Sequence, residues 1–351
     1  MELTPIRIPG KRRRKGEPPV VFHVPPRKDK HTAKRRKKPK VPKLKASYLE
    51  KKLPLEIMER ILWMSENVNF AKSGARVGYL LSGESTRKET FVQAFGPTWD
   101  VWFGCVKNGD STVVSYHDWQ NDSARSGGSP DFQSQSALLQ YSWVDINFIL
   151  DCLDSWVYRF ARNRFFQHQK LWGDPDSQHQ LDDDSGDYGN FKSARQYFLH
   201  DYDAFCSNLD DDLPPPDLQP SWMEVHHETQ IPDSLLTGPW DEDAMQKLFW
   251  LVRAGARLSA DQTWETTLEG FHNAMANDAE LKVGNVNLPV LRLLFILAGN
   301  HWPDYIANCE LEKLQAIEQM LRDAGRRDAY RKYALVASML LQRYSTSSSG
   351  T

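Results

Sequence analysis

Cysteine is scarce. Cys105, Cys152, Cys206 and Cys309 are the four in 351 residues, widely spaced and without a CxxC pair. That excludes a disulfide framework and a cysteine-rich zinc site, and the expectation is four reduced, mostly buried thiols. No apolar run approaches the roughly 18 residues of a membrane span, so none is expected. The N-terminus lacks the apolar stretch of a secretory signal. Neither a glycine-rich phosphate loop nor a dinucleotide fingerprint occurs. Candidate catalytic and metal groupings are equally thin. Ser115, His117 and Asp118 are sequence neighbours, whereas a hydrolytic triad assembles from separate elements. His226-His227-Glu228 lacks the i, i+4 histidine pair that places two metal ligands on one helix face. Asp182-Asp183-Asp184 and Asp210-Asp211-Asp212 lack the glycine and spacing of a calcium loop. No catalytic activity, cofactor or metal is expected.

Charge, by contrast, is abundant and unevenly placed. The formal net charge is −2, from 44 Lys and Arg against 46 Asp and Glu. Residues 1–52 hold 19 of the cations and only 4 acids (Glu2, Glu17, Asp29, Glu50), or +15, which leaves −17 on the remainder. Residues 1–46 are rich in Lys, Arg and Pro, have almost no apolar periodicity, and are expected to be a disordered basic arm. Two clusters stand out: Lys11, Arg12, Arg13, Arg14 and Lys15, then Lys34, Arg35, Arg36, Lys37, Lys38 and Lys40. Extended lysine and arginine side chains suit the acidic groove of a nuclear import receptor, so a nuclear location is expected, with the cytoplasm as a second compartment. The arm also suits nucleic acid through its charge. Phe22 and Tyr48 are its only aromatic residues among the first 50, which gives little for base stacking.

Beyond the arm the patterning is mainly helical. Residues 47–106 are expected to form a small helical unit, with Pro54 at a helix start, a second helix over Ala71–Leu81, and a third from Glu84 that stops before Gly96-Pro97. Residues 107–172 are expected to be a loop followed by a long helix within 137–166, striped by Ile146, Ile149, Leu153, Trp156 and Phe160. Residues 173–240, acidic and proline-rich, are expected to be a partly disordered insert or linker, interrupted by a short helix near Ala194–Phe205. Residues 241–344 show helical stripes, with Gly255 and Gly325 as C-terminal stops. A weak echo between 248–255 and 293–299 reads as two paired helices. Residues 345–351 are a Ser-rich tail.

At residues 53–95 the sequence resembles the F-box family in its divergent fungal form. The resemblance is carried by Leu53-Pro54-Leu55-Glu56-Ile57-Met58-Glu59-Arg60-Ile61-Leu62, by Asn67-Val68-Asn69-Phe70-Ala71-Lys72, by Ala75-Arg76-Val77-Gly78-Tyr79-Leu80-Leu81-Ser82, and by Ala94-Phe95. It implies an N-terminal three-helix F-box-like unit followed by an irregular helical domain. It also implies a non-enzymatic adaptor that docks on the Skp-type linker subunit of an SCF ubiquitin ligase and presents a protein substrate. Carried over by motif position, the partner-binding residues are Leu53, Pro54, Ile57, Ile61 and Leu62. Two other readings stand beside it. One is a nuclear nucleic-acid- or chromatin-associated protein that uses the arm. The other is a helical scaffold with no ligase role, its arm neutralised by its own acidic segment.

Overall fold

The computed structural model describes residues 52–65, 67–103, 131–162, 164, 166, 191–209, 223–259, 261–275, 286–298 and 302–345. Among these the chain is mainly helical, with twelve α-helices and no strand. The basic arm and its two cation clusters lie outside the described residues, as do residues 104–130.

Near the N-terminal side, α1 (Leu55–Ser65) is followed by a 3₁₀ turn (Val68–Lys72) and α2 (Ala75–Leu80). The expected single helix over Ala71–Leu81 is therefore two pieces. Asn67 caps the 3₁₀ turn by accepting from Asn69 N–H, and Gly74 separates the turn from α2. Helix α3 (Glu84–Trp102) runs straight through Gly96-Pro97, where the sequence predicts a stop. Tertiary packing overrides the local signal. A Cβ at Gly96 would sit 3.2 Å from Trp156 Nε1, so glycine lets α5 come close. The carbonyl of Ala94, one turn before the proline, accepts from Gln135 Nε2 at 3.0 Å. That bond serves the stretch where a proline ring disturbs the helical ladder. Trp99 is consequently a buried helical residue.

An additional helix, α4 (Phe132–Leu139), begins in the stretch expected to be loop, and the helix expected within 137–166 is α5 (Ile146–Trp156). Each starts on an aspartate cap: Asp131 accepts from Gln133 and Ser134 N–H, and Asp145 accepts from Phe148 N–H. Helix α5 ends in a π-helical turn, Val157–Ala161. Next come α6 (Ala194–Ser207), α7 (Asp233–Thr237), α8 (Glu242–Arg253), α9 (Trp264–Met275) and α10 (Leu288–Ala298). The long pair α11 (Asp304–Asp323) and α12 (Arg327–Ser345) closes the series.

The linker reading of 173–240 is corrected for its described parts. Helix α6 buries Tyr197, Phe198, Tyr202 and Phe205 in the main core, and Val225, Ile231 and Leu236 are fully buried. These segments are core components because their apolar residues face α5, α7, α8 and α9.

Helix α8 is at the centre, against α5, α6, α7 and α10. Every residue from Lys247 to Arg253 is buried. Helix α10 is nearly as enclosed, with Val290 to Phe295 buried in succession. The echo between the two segments reflects this shared, all-round burial. Gly255 and Gly325 have positive φ and end α8 and α11 in backbone bonds that return to Leu251 and Leu321 carbonyls.

Three buried polar side chains tie separate elements of the body together. Gln135, fully buried, uses both ends of its amide: Nε2 donates to Ala94 O and Thr98 Oγ1, and Oε1 accepts from His226 N and Thr229 Oγ1. Lys247 donates to the carbonyls of Leu139 (3.0 Å) and Val144 (2.7 Å), which ties the α4–α5 turn to α8. Burial lowers its pKa to about 8. Arg253 joins Asp201 of α6 (2.6 Å) to Glu224 (3.1 Å).

Candidate docking surface

Helix α1 is apolar on two flanks. Met58 and Leu62, four residues apart, point into a small core with Val77 and Leu81, edged by Leu53, Trp63, Phe70, Ala71 and Leu80. This core is separate from the main one. The adjoining flank holds Ile57, Ile61 and Met64, at helical spacings of four and three, which are 42%, 37% and 79% exposed. Pro54, exposed, opens the same ridge, and its carbonyl accepts from Met58 N–H. Leu55 is at the margin of exposure on the other side.

Two side-chain bonds hold α1 in place against α3. Thr86 Oγ1 donates to Glu59 Oε1 (2.5 Å), and one turn on, Trp63 Nε1 donates to Thr90 Oγ1 (3.3 Å). Further round, Tyr141 donates to Val68 O at 3.3 Å, and the Lys72 ammonium lies 4.7 Å from the Tyr141 ring centre. The inner flank is thus fixed to the body while the ridge faces outward.

Of the five residues expected to bind a partner, Pro54, Ile57 and Ile61 lie on that ridge. Leu53 is half-buried on the edge of the small core. Leu62 is corrected to a core residue, 5% exposed, because it belongs to the inner stripe with Met58. Met64 was missed by the motif, although the Ile57–Ile61 spacing extended by three residues points to it.

Comparison with protein-family models, curated proteins and solved structures returned no match. The chemistry of the molecule therefore rests on its own side chains.

Other candidates from the sequence fare differently. Ser115, His117 and Asp118 lie outside the described residues, as do both aspartate triplets and Cys105. Cys152 is buried and its thiol pKa is pushed up by desolvation, Cys206 is half-buried, and Cys309 is exposed, which corrects the expectation of mostly buried thiols at that position. His226, His227 and Glu228 bring ligand atoms within 4.8 Å of one another. However, Nδ1 of His226 accepts from Glu228 N–H at 3.2 Å, so the neutral ring carries its proton on Nε2. A metal-bound imidazole needs the reverse: one nitrogen on the metal and the other donating to an acceptor.

His226 instead makes the fold acid-sensitive. Burial first, and the neighbouring His227 second, lower its pKa to about 4. An unfolded histidine titrates near 6.5, so between those values the unfolded chain binds more protons than the folded one. The stabilising contribution is complete above about pH 6.5 and is lost as pH falls from there through 4, by about 3 kcal/mol. His226→Asn keeps an acceptor for Glu228 N–H without the titration. Urea melts at pH 7 and pH 4.5 are expected to differ less for this variant than for the natural chain. Equal differences would show that His226 does not set the acid response.

Proposed function

We propose that the chain is an F-box-like adaptor, whose α1 ridge docks on the Skp-type linker subunit of an SCF ubiquitin ligase while the larger helical body holds a protein substrate. The observation that carries this reading is the exposure of Pro54, Ile57 and Ile61, extended by Met64, on a helix anchored through its opposite flank. An apolar helix ridge of this kind fits a hydrophobic groove on a partner. The F-box-like order of residues in 53–95 supports the groove of the Skp-type linker subunit as the one it fits. The cation clusters Lys11–Lys15 and Lys34–Lys40 would carry the adaptor to the nucleus through an import receptor.

The test is a calorimetric titration of the full chain with a purified Skp-type linker subunit. Each buried isoleucine is worth about 1.5 to 3 kcal/mol to an interface, and a buried aspartate adds a desolvation cost. Ile57→Asp and Ile61→Asp are therefore each expected to weaken binding about 100-fold or more with a smaller fall in melting temperature than Leu62→Asp, since both side chains are partly solvated already. Leu62→Asp is expected to lower the melting temperature first. Binding that survives both isoleucine changes, or is absent in the natural chain, ends the adaptor reading.

A further inference from the structure

Between Asp154 and Asp174 the sequence has no acidic residue but carries Arg159, Arg162, Arg164 and Lys170, within a body of net −17. The described part of this segment, residues 154–162, 164 and 166, includes the π-helical turn Val157–Ala161 that ends α5. Tyr158 and Phe160 are 68% and 53% exposed there, two large rings within three residues. Most other exposed large apolar residues outside α1, such as Leu199, Tyr305, Met320 and Leu341, are scattered singly. π-Helical turns are rare and concentrate at functional sites.

The arginines show what this surface takes. Arg159 makes a forked contact with Glu89 of α3, at 2.7 and 3.5 Å, and its guanidinium lies 4.9 Å from the Phe160 ring centre. Arg164 pairs with the Asp100 carboxylate and donates to the Asp100 carbonyl at 3.0 Å. Its guanidinium lies 5.9 Å from the Trp156 ring centre. Two members of the row thus hold carboxylates supplied by α3. Arg162, the exposed middle member, meets the Tyr158 ring at 5.2 Å and has no carboxylate partner among the described residues. Contact with tyrosine restrains the guanidinium while the side chain stays exposed, and its planar fork suits a carboxylate.

We propose that the end of α5 is a docking site for an acidic peptide segment of a partner protein. A glutamate or aspartate of that segment occupies Arg162 as Glu89 and Asp100 occupy its neighbours. Its apolar side chains lie on Tyr158 and Phe160. Tyrosine and arginine are the residue types that most often carry interface energy. A carboxylate ligand is favoured over single-stranded nucleic acid because each exposed ring already has a guanidinium over it, which leaves less aromatic surface for stacked bases. This site lies on a different helix from the α1 ridge and does not depend on the adaptor reading.

The experiment uses the full chain with two probes: a fluorescein-labelled ten-residue peptide of alternating glutamate and tyrosine, and an oligothymidylate of equal charge. Residues 1–52 attract both probes in every variant, so differences between variants and hydrogen exchange of residues 156–162 carry the result. Arg162→Glu is expected to weaken peptide binding about tenfold and Tyr158→Ala about fivefold. Arg162→Gln should fall between Arg162→Glu and the natural chain, and the peptide should slow exchange at 156–162. Melting temperatures should not change, because both side chains are exposed. Unchanged peptide affinity in all three variants, or no slowing of exchange, overturns the proposal. So does loss of oligothymidylate binding in Arg162→Glu with peptide binding intact, which would assign the surface to nucleic acid.

Discussion

Replacing Arg253 with methionine is expected to cost about 4 kcal/mol of folding stability, because it strands two carboxylates inside the protein. Arg253 donates through Nε to Asp201 and through its terminal nitrogen to Glu224, and the acidic side chains are each only 3% exposed. Methionine fills similar volume but leaves two negative charges facing each other without water. Glu224 retains the bond from Trp250 Nε1 at 2.6 Å, and its carbonyl still accepts from Trp99 Nε1 at 3.0 Å. Neither supplies a compensating charge. The three joined pieces, α6, α8 and the 223–225 strip, would therefore be pushed apart at their meeting point. For a body of this size the loss corresponds to a fall in melting temperature of about 10 °C. The triple variant Asp201→Asn, Glu224→Gln, Arg253→Met should regain most of it, since charge rather than packing is at issue. If the single variant melts within 3 °C of the natural protein by roughly the same criterion, the cluster has no such weight.

The second large effect concerns a single methyl group. A Cβ at Gly270 would stand 1.9 Å from the carbonyl oxygen of Leu236, 3.0 Å from its carbon, and 3.1 Å from Leu294 Cδ1. Helix α9 crosses the end of α7 with nothing between the backbones. On an open helix surface, glycine to alanine gains up to about 1 kcal/mol. Here relief of the clash requires α7 and α9 to separate by more than an ångström, and α10 blocks retreat on the other side. Gly270→Ala is expected to cost about 3 kcal/mol or more, which reverses the usual sign. Gly83→Ala is the matched control, because its Cβ meets only Thr86 Oγ1, at an ordinary 3.5 Å. Circular dichroism melts of the two variants should diverge sharply, and near-identical curves would mean the crossing is looser than described.

Several helices were legible in advance because burial imposes a period of 3.6 on their apolar residues. The stripes of α5, α8, α11 and α12 and the glycine stops at 255 and 325 belong here. What stayed hidden depended on partners distant in sequence. The run from Leu53 to Leu62 contains two competing stripes, 57/61 and 58/62, and the position of α2 with its Val77 and Leu81 decides which turns inward. Leu62 was assigned to the wrong one for that reason. Gly96-Pro97 carries a stop signal of about 3 kcal/mol in isolation. Trp156, 60 residues downstream, and Gln135 make the continuation favourable. Residues 223–236 have buried apolar side chains without any period, so they read as linker. The Arg253 cluster spans residues 201 to 253 and offers no local pattern at all.

Helix α8 raises a problem of alignment that two of its own cations resolve. A rod greasy on every side could slide along its axis, or rotate by one residue, and meet its neighbours almost equally well. Lys247 at mid-helix and Arg253 at the C-terminal end, six residues and about 9 Å apart along the axis, reach fixed acceptors: two carbonyls for one, two carboxylates for the other. A shift of even one turn would leave both cations facing hydrocarbon. The pair thereby indexes the rod like two teeth in a rack, and sets the depth at which every surrounding helix must seat.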